Sequence, residues 1–408
     1  MSPTTVEPGH PPTRTLGGAS RVALVVAIAH GVNDAYASFL SPLLPRIMGK
    51  LELSIALAAT LAMVLSIAAS LLQPLAGYLT DRYGPKLFVV LGPVISGVFL
   101  SMIGLAPSFT ILVVLLMMGG IGSAVFHPPA ASMAMSLDTG QGRGVRLSFF
   151  SFGGAIGFAV GPLIAVGLVG QVGLEGLWMA MIPGLIVAAV IYGRLPANGV
   201  LADANDAKPP PSPARVLKAL KGPLGVVFGI SAVGAFVQRV FLTMEPIIAA
   251  QAGVSEAMGA VALSIYLGAQ AIGTLTGGVL TDRMDRRTLL VGLTLLSVPT
   301  HMLALWLPPG SPASLAFAAM AGFLNMAMLP PIVVMAQEIL PEGTGIGSGI
   351  VMGLAWALGS VGVLGTGILA DLVGPRSAAL LSVPVLLIGT LLALHPSLRM
   401  HRRPAHTG

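Results

Sequence analysis

The stretch GYLTDRYGPK (77–86) returns as GVLTDRMDRR (278–287), which sets Asp81 and Asp282 201 residues apart in a chain of 408. Each copy is a short charged turn between two long apolar runs. A charged turn repeated at half the chain length predicts two related halves placed side by side. The echo extends outward from the turns. Pro45 answers Pro246 at the same offset, and Pro128-Pro129 answers Pro330-Pro331 at 202 residues.

Composition gives the setting. The chain is 55% hydrophobic and 9% charged, against about 25% charged for a soluble domain. Lipid, as apolar as a protein core, accommodates such a chain where water does not. With no Cys there is no disulfide, thiolate metal site or cysteine nucleophile, and nothing follows about compartment. The 52 Gly and 32 Pro suit membrane helices, where small residues permit close packing and neighbours satisfy the backbone freed at Pro. The formal net charge of +6 does not signal nucleic acid, because the basic residues sit in loops between the apolar runs.

Twelve runs approach or exceed the roughly 20 residues a helix needs to cross a bilayer. They are 22–45, 54–79, 87–106, 109–136, 146–170 and 174–193, then 223–249, 256–281, 288–307, 312–338, 346–371 and 376–395. The expected fold is therefore all-α: twelve transmembrane helices in two pseudo-symmetric six-helix bundles, 22–193 and 223–395, related by an axis along the membrane normal with a cleft between them. Residues 1–21 and 396–408 are expected as cytoplasmic tails, the first disordered, and 194–222 as a proline-bearing cytoplasmic linker. Its end, ARVLKALKG, is either a short helix on the membrane surface or a solvated basic segment. Of 21 Lys and Arg, 17 fall on the loops and tails of one face and three (Arg46, Lys50, Arg376) on the other. The charge-bias rule thus places both termini in the cytoplasm, and an even number of spans agrees.

At the turns the chain resembles the major facilitator superfamily. Gly77, Asp81, Arg82, Gly84 and Lys86 fit its signature G-x-x-x-D-R-x-G-x-K/R, from which the second copy departs at Asp285. HGVNDAYASFLSPLLP (30–45), SLLQPLAGYLTDR (70–82), FHPPA (126–130), AQEILPEGTGIGSG (336–349) and GLAWALGSVG (353–362) resemble the fosmidomycin-resistance-like branch. The resemblance implies a secondary transporter of a bacterial inner membrane, rocking between two open states, with spans one, four, seven and ten lining the cavity. Many relatives export drugs or metabolites in exchange for protons.

A charge in the bilayer core costs at least about 2.5–3.5 kcal/mol on insertion scales, so each one needs a reason. His30 and Asp34, at i and i+4, share one face of span one near mid-bilayer, with Asn33 about 100° round the helix. Burial opposes a carboxylate and a neighbouring cation favours it, the balance a proton-loading group requires; the pair otherwise serves to lock helices. His127, beside Pro128 and Pro129, sits at the same depth in span four as His30 in span one. It either faces His30 across the cavity or bonds to its own kinked backbone. In span seven, Gln238 and Glu245 share a face. Arg239 either pairs with Asp34, holds an anionic substrate, or snorkels outward. Glu245 is expected at the interface, and Glu338 and Asp371 at wet helix ends.

Two glycine ladders, Gly153-Gly157-Gly161 (followed by Pro162, similar to the glycine-proline signature of proton-coupled exporters) and Gly345-Gly349-Gly353, predict grooves for close helix approach. At the turns, Asp81 is expected to dock on the positive N-terminus of span eleven and Asp282 near the start of span five, beside Arg143 and Arg146. Arg82, Lys86, Arg283 and Arg286 otherwise only set topology. No phosphate loop, zinc-protease motif or nucleophile elbow is present. The expectation is a non-enzyme: a monomeric, proton-coupled exporter of a small organic molecule, driven by the proton gradient with no cofactor or metal and no nucleic-acid partner. Its rivals are a proton-coupled uptake symporter and a non-transporting membrane sensor or scaffold.

Overall fold

The computed structural model describes residues 16–136, 143–195 and 212–398, without the side chains at 16–20, 74, 81, 135–136 and 143–147. Residues 16–21, expected within a disordered tail, are instead the first turns of a helix, continuous with the apolar run that follows, and 396–398 form a 3-10 turn. The expectations for 1–15 and 399–408, for most of the linker and for the Asp81, Arg143 and Arg146 side chains lie outside the described residues.

Every described segment of length is helical. Eleven helices are long and apolar enough to cross a membrane, and the apolar helix Ile55–Leu71 is shorter. Span one is α1 (Leu16–Ala37) and α2 (Leu40–Leu51), with a joint at Ser38 and Phe39; span two is α3 (Ile55–Leu71) and α4 (Gln73–Tyr83). Spans three to five are α5 (Pro85–Ser101), α6 (Phe109–Ser136) and α7 (Arg143–Val172), and span six is α8 (Met181–Arg194) behind a 3-10 turn. The linker ends in α9 (Pro213–Leu220). Spans seven to nine are α10 (Pro223–Gln251), α11 (Glu256–Arg283) and α12 (Arg286–Trp306); span ten is α13 (Pro312–Ala327) and α14 (Leu329–Ile339). Span eleven runs from α15 (Thr344–Gly349) through a π turn, Ile350–Leu354, into α16 (Ala355–Val373), and span twelve is α17 (Pro375–Ser382) and α18 (Leu386–Ala393). Large apolar side chains such as Leu372, Leu391 and Ile272 stand outward. In water that belt would be a liability; against acyl chains it is the expected surface.

The two halves repeat in geometry as well as sequence. Ser54 caps α3 by accepting from the Leu57 N–H, and Ser255, 201 residues on, caps α11 by accepting from Met258. The residue two before each cap is left-handed: Glu52 at φ 52° and Gly253 at φ 72°. Lys86 Nζ donates to the Leu195 carbonyl at the end of span six, and Arg287 donates to Ala393 and Leu394 at the end of span twelve. The departure at Asp285 has a local reason. Where the first turn uses Gly84 at φ 84°, the second uses Asp285 as an N-cap whose carboxylate accepts from the Thr288 N–H and Oγ1.

The halves meet along two helix pairs, α3 with α16 and α7 with α11, and α2 also packs on α10 and α11. The face shared by the chain ends is called here the terminal face, and the opposite one the far face. Among the described residues, three links cross between the halves. Arg46 Nε bonds both oxygens of Glu256 at 2.6 and 2.8 Å, Asp371 accepts from the N–H groups of Ile55 and Ala56 at 2.8 and 3.1 Å, and Ser360 Oγ donates to Ser66 Oγ at 2.6 Å. All lie between the far face and mid-membrane, so the halves are clasped at the far face. Toward the terminal face α4 packs on α5 and α6 of its own half.

The first glycine ladder is a contact surface. A Cβ at Gly153, Gly157 or Gly161 would overlap backbone of Ala27, Gly31 or Ala35, so α7 lies against α1 nearly backbone to backbone; Pro162 continues within that helix. The second ladder does not meet its expectation. Gly345 and Gly349 face open space and Gly353 only approaches the Ser70 carbonyl at 3.8 Å. The helix packs by its other side: a Cβ at Gly347, midway between Gly345 and Gly349, would meet the Ala336 carbonyl at 2.9 Å.

Replacing Gly157 by Ala is expected to destabilise the fold by about 1–3 kcal/mol through overpacking. The same change at Gly167, with nothing within 4 Å of a Cβ, is expected to leave stability unchanged or slightly raised. Thermal unfolding in detergent checks both.

Candidate functional site

Three side chains from two helices converge on one carboxylate. His30 Nε2 lies 3.2 Å from Asp34 Oδ2, one turn along α1, and His127 Nε2 reaches from α6 to 3.1 Å from Asp34 Oδ1. Asn33 Nδ2 donates to Oδ1 at 3.1 Å, so that residue joins the site despite its angular offset. The Asn33 Oδ1 is buried and has no partner among the described residues. Each imidazole is anchored from behind: His30 Nδ1 lies 2.9 Å from the Phe150 carbonyl and His127 Nδ1 2.7 Å from the Ser123 carbonyl. Both fates foreseen for His127 thus occur together, one at each ring nitrogen.

The chemistry follows from the acceptors. A carbonyl has no proton to give, so each Nδ1 must donate. A neutral ring with Nδ1–H then carries a lone pair at Nε2, aimed at a carboxylate oxygen. Two lone pairs facing an anion repel; a proton on each N···O line makes both contacts favourable. The three groups together carry one negative charge when both lines are empty and one positive charge when both are filled. The ligand atoms lie within 4.8 Å of one another, near enough to surround a metal ion, but the hydrogen-bond distances account for the arrangement with protons alone.

Packing fixes this geometry. The His30 ring stacks on Phe150 at 4.1 Å between centroids and sits edge-on to His127 at 5.0 Å. Gly154 makes the room, since a Cβ there would strike the His30 imidazole. Farther along span one, Tyr36 donates to the Ala180 carbonyl at 2.6 Å and accepts from the Gly184 N–H at 2.9 Å, tying span one to span six.

The residues of span seven stand apart from this cluster. Arg239 does not pair with Asp34, whose oxygens are taken by the histidines and Asn33. Its guanidinium lies 5.9 Å from the centre of the Trp356 ring, its Nε is buried, and it has no hydrogen bond or ion pair among the described residues. Burial of Nε also argues against simple snorkelling. Gln238 donates to Gln270 at 3.0 Å and, with Ser231, Asn325 and Trp356, lines a cavity between spans seven, ten and eleven. Glu245 is covered by protein: it is 7% exposed and its Oε2 has no partner among the described residues, in a stretch of α10 that is buried throughout 240–249 and belongs to a helix on which α2 packs.

At the turns, Arg286 pairs with Glu338 of its own half, Arg82 stands over Tyr83, and Asp282 and Arg283 are exposed. Asp371, expected to be merely wet, is exposed yet bonds across the halves. Sequence reasoning missed Phe150, Ser123 and Trp356. The anchoring bonds of the first two come from their carbonyls, which any residue carries, and the Phe150 ring meets His30 from 120 residues away, so no sequence signal marks either. Trp356, one of three tryptophans, stood within a quoted motif.

Among the described residues, eleven membrane-length helices and a shorter apolar one, in two matched halves clasped at one face around buried polar groups, give the architecture of a membrane transporter. Comparison with known proteins names the family: residues 26–243 and 224–407 match the model of the Major Facilitator Superfamily, and the chain belongs to it. It is 29% identical over 401 residues to the MFS-type transporter YfnC of Bacillus subtilis (strain 168), covering 92% of this chain and 93% of that one. It is 27% identical over 360 residues to the fosmidomycin resistance protein of Escherichia coli (strain K12), covering 85% of each. In fold it is similar to a bacterial homologue of the human lysosomal transporter Spinster, inward-facing and unoccupied, with TM-score 0.77 at 17% identity over 93% of this chain and 97% of the other. It is likewise similar to a D-xylose–proton symporter, with TM-score 0.72 at 17% identity over 93% and 98%.

Gly154→Ala is expected to displace the His30 ring and leave the His127 anchor in place. In a histidine-labelled sample the ring ¹⁵N signals of His30 then shift while those of buried, distant His301 stay put.

Proposed function

We propose that the protein is a proton-coupled secondary transporter that exports a small organic anion, with Asp34, His30 and His127 as the proton-loading site. The observation that carries this reading is the pair of carbonyl-anchored imidazoles aimed at one carboxylate inside a membrane span. Such a site changes its charge by one unit with each proton, at a depth where the bilayer tolerates little unpaired charge. Arg239 supports the substrate class. A guanidinium deep in a span, with no carboxylate partner among the described residues, 5.9 Å from the centre of the Trp356 ring and beside a mostly apolar cavity that also carries Ser231, Gln238 and Asn325, suits a phosphonate or carboxylate that binds two of its donors.

In the proposed cycle the site on span one and Arg239 on span seven face a shared vestibule. The two are filled in turn: the anion, taken at Arg239 from the cytoplasm, is carried out with the site stripped of protons, and protons taken from outside fill the N···O lines and are carried in with Arg239 empty. The clasp at the far face and the charge bias of the loops support a vestibule open to the cytoplasm in this state. The likeness to the fosmidomycin resistance protein supports export.

Fosmidomycin, a phosphonate, is the first probe. In proteoliposomes, Asp34→Asn is expected to reduce flux driven by an imposed pH gradient about 100-fold or more, the scale on which a lost acid–base group acts, while probe exchange without a gradient persists. Arg239→Gln is expected to weaken probe binding itself. Full gradient-driven flux in Asp34→Asn would remove the proton reading. Flux running with the proton gradient rather than against it would make the protein an uptake symporter, and absence of flux for any anionic probe would favour a sensor or scaffold.

A further inference from the structure

The charged turn is written a third time, at the far face. Gly77-x-x-x-Asp81-x-x-Gly84-Pro85-Lys86 ends span two, and Gly367-x-x-x-Asp371-x-x-Gly374-Pro375-Arg376 ends span eleven. The backbone agrees as closely as the sequence: Gly84 has φ 84°, ψ 154° and Gly374 φ 84°, ψ 153°. In each copy the left-handed glycine closes one helix and the proline opens the next.

The far-face copy is engaged. Both Asp371 oxygens are used, Oδ1 by the Ile55 N–H at 2.8 Å and Oδ2 by the Ala56 N–H at 3.1 Å. These are unpaired donors of the first turn of α3, a 17-residue helix whose N-terminus carries partial positive charge. One turn up, a Cβ on Gly367 would press into Ala59 and Ala56, so the two helices touch closely beside the bond. Deeper still, Ser360 donates to Ser66 across the same pair.

We infer that Asp371 is a positioning residue of the transport cycle: it latches the start of span two to the end of span eleven and holds the far face closed. Spans two and eleven are reciprocal. Each begins on the face where the other ends in the charged turn, so the same two helices carry a latch at either end. The far latch joins Asp371 to the start of span two. By its sequence match, the turn at 77–86 is expected to do the same at the start of span eleven when the terminal face closes. Rocking separates one end as it approximates the other, so the two latches exclude each other. Asp371 is solvent-exposed, which keeps the bond weak enough to release. This inference rests on the alternating-access reading of the fold and not on the identity of the substrate or coupling ion.

The full chain, having no cysteine, takes spin labels only where they are put. Gln171→Cys with Gln251→Cys reports the far face, and Tyr83→Cys with Met284→Cys the terminal face; all four positions are exposed. Distance distributions by pulsed EPR in nanodiscs give the ratio of far-closed to far-open molecules. Asp371→Ala is expected to lower that ratio about threefold to tenfold, as loss of a helix cap does, with the terminal-face pair moving the opposite way. Asp371→Glu is expected to restore part of it. Gly367→Val, a wedge at the same seam, is expected to shift the ratio in the same direction without touching the carboxylate. Should Asp371→Ala not yield folded protein by size exclusion, Asp371→Leu, similar in shape but with no acceptor, carries the same expectation. Two exchanging populations with a ratio unmoved by Asp371 substitution overturn the latch alone. A single fixed distribution in the unsubstituted chain, with and without fosmidomycin and across pH, overturns the latch together with the rocking reading beneath it.

Discussion

The bilayer charges heavily for an ion without a partner, and the interior of this protein is arranged around that constraint. A lone carboxylate at the depth of Asp34 would favour any state that neutralises or solvates it. The chain surrounds it instead with two imidazoles and an amide. Each imidazole is held by a backbone carbonyl so that its other nitrogen has nowhere else to turn. The histidines therefore do more than pair with the charge. By fixing where protons can sit, they turn a costly anion into a site with defined charge states. Phe150 and Gly154 belong to the same design, one stacking on the His30 ring and the other leaving space for it.

The same economy explains the small residues between spans. Apolar attraction between helices is feeble in lipid, because the tails are as apolar as leucine, so packing depends on backbones coming close. Gly153, Gly157 and Gly161 allow this between spans one and five. Gly367 allows it between the halves, where hydrogen bonds from Asp371 and between Ser66 and Ser360 add direction. Between halves the hydrogen bonds lie toward the far side, the arrangement expected of a pair of bundles open on the opposite face.

Much of this was legible before any coordinates. The twelve crossings could be read because membrane helices announce themselves by unbroken hydropathy, with ends misplaced by a few residues, as for span five (146–170 expected, Arg143–Val172 found). Counting from helix ends placed His30 and His127 at one depth, and i, i+4 spacing put His30 beside Asp34. What could not be read was rotation and cover. Glu245 looked interfacial because only its distance from the helix end was known; α2, a distant segment, packs on the helix that carries it. An Arg239–Asp34 pair was plausible on charge alone, yet the histidines already occupy the oxygens that such a pair would use. The far-face turn was in the sequence throughout. A search at the half-length offset passes it by, because it lies 290 residues from its counterpart and on the opposite face.

The Asp34 cluster and the far clasp also share a helix. Asp34 and Arg46 both lie on span one, on either side of the joint at Ser38 and Phe39, where the Ser38 N–H and Oγ both bond back to the Ala35 carbonyl. Tyr36, just before the joint, is pinned to span six, and α2, just after it, is seated on spans seven and eight of the other half. A change of charge at Asp34 thus acts on a segment whose two ends are anchored in different halves. No long-range signal through the protein is required: the segment that bears the charge is also part of the contact that holds the far face shut.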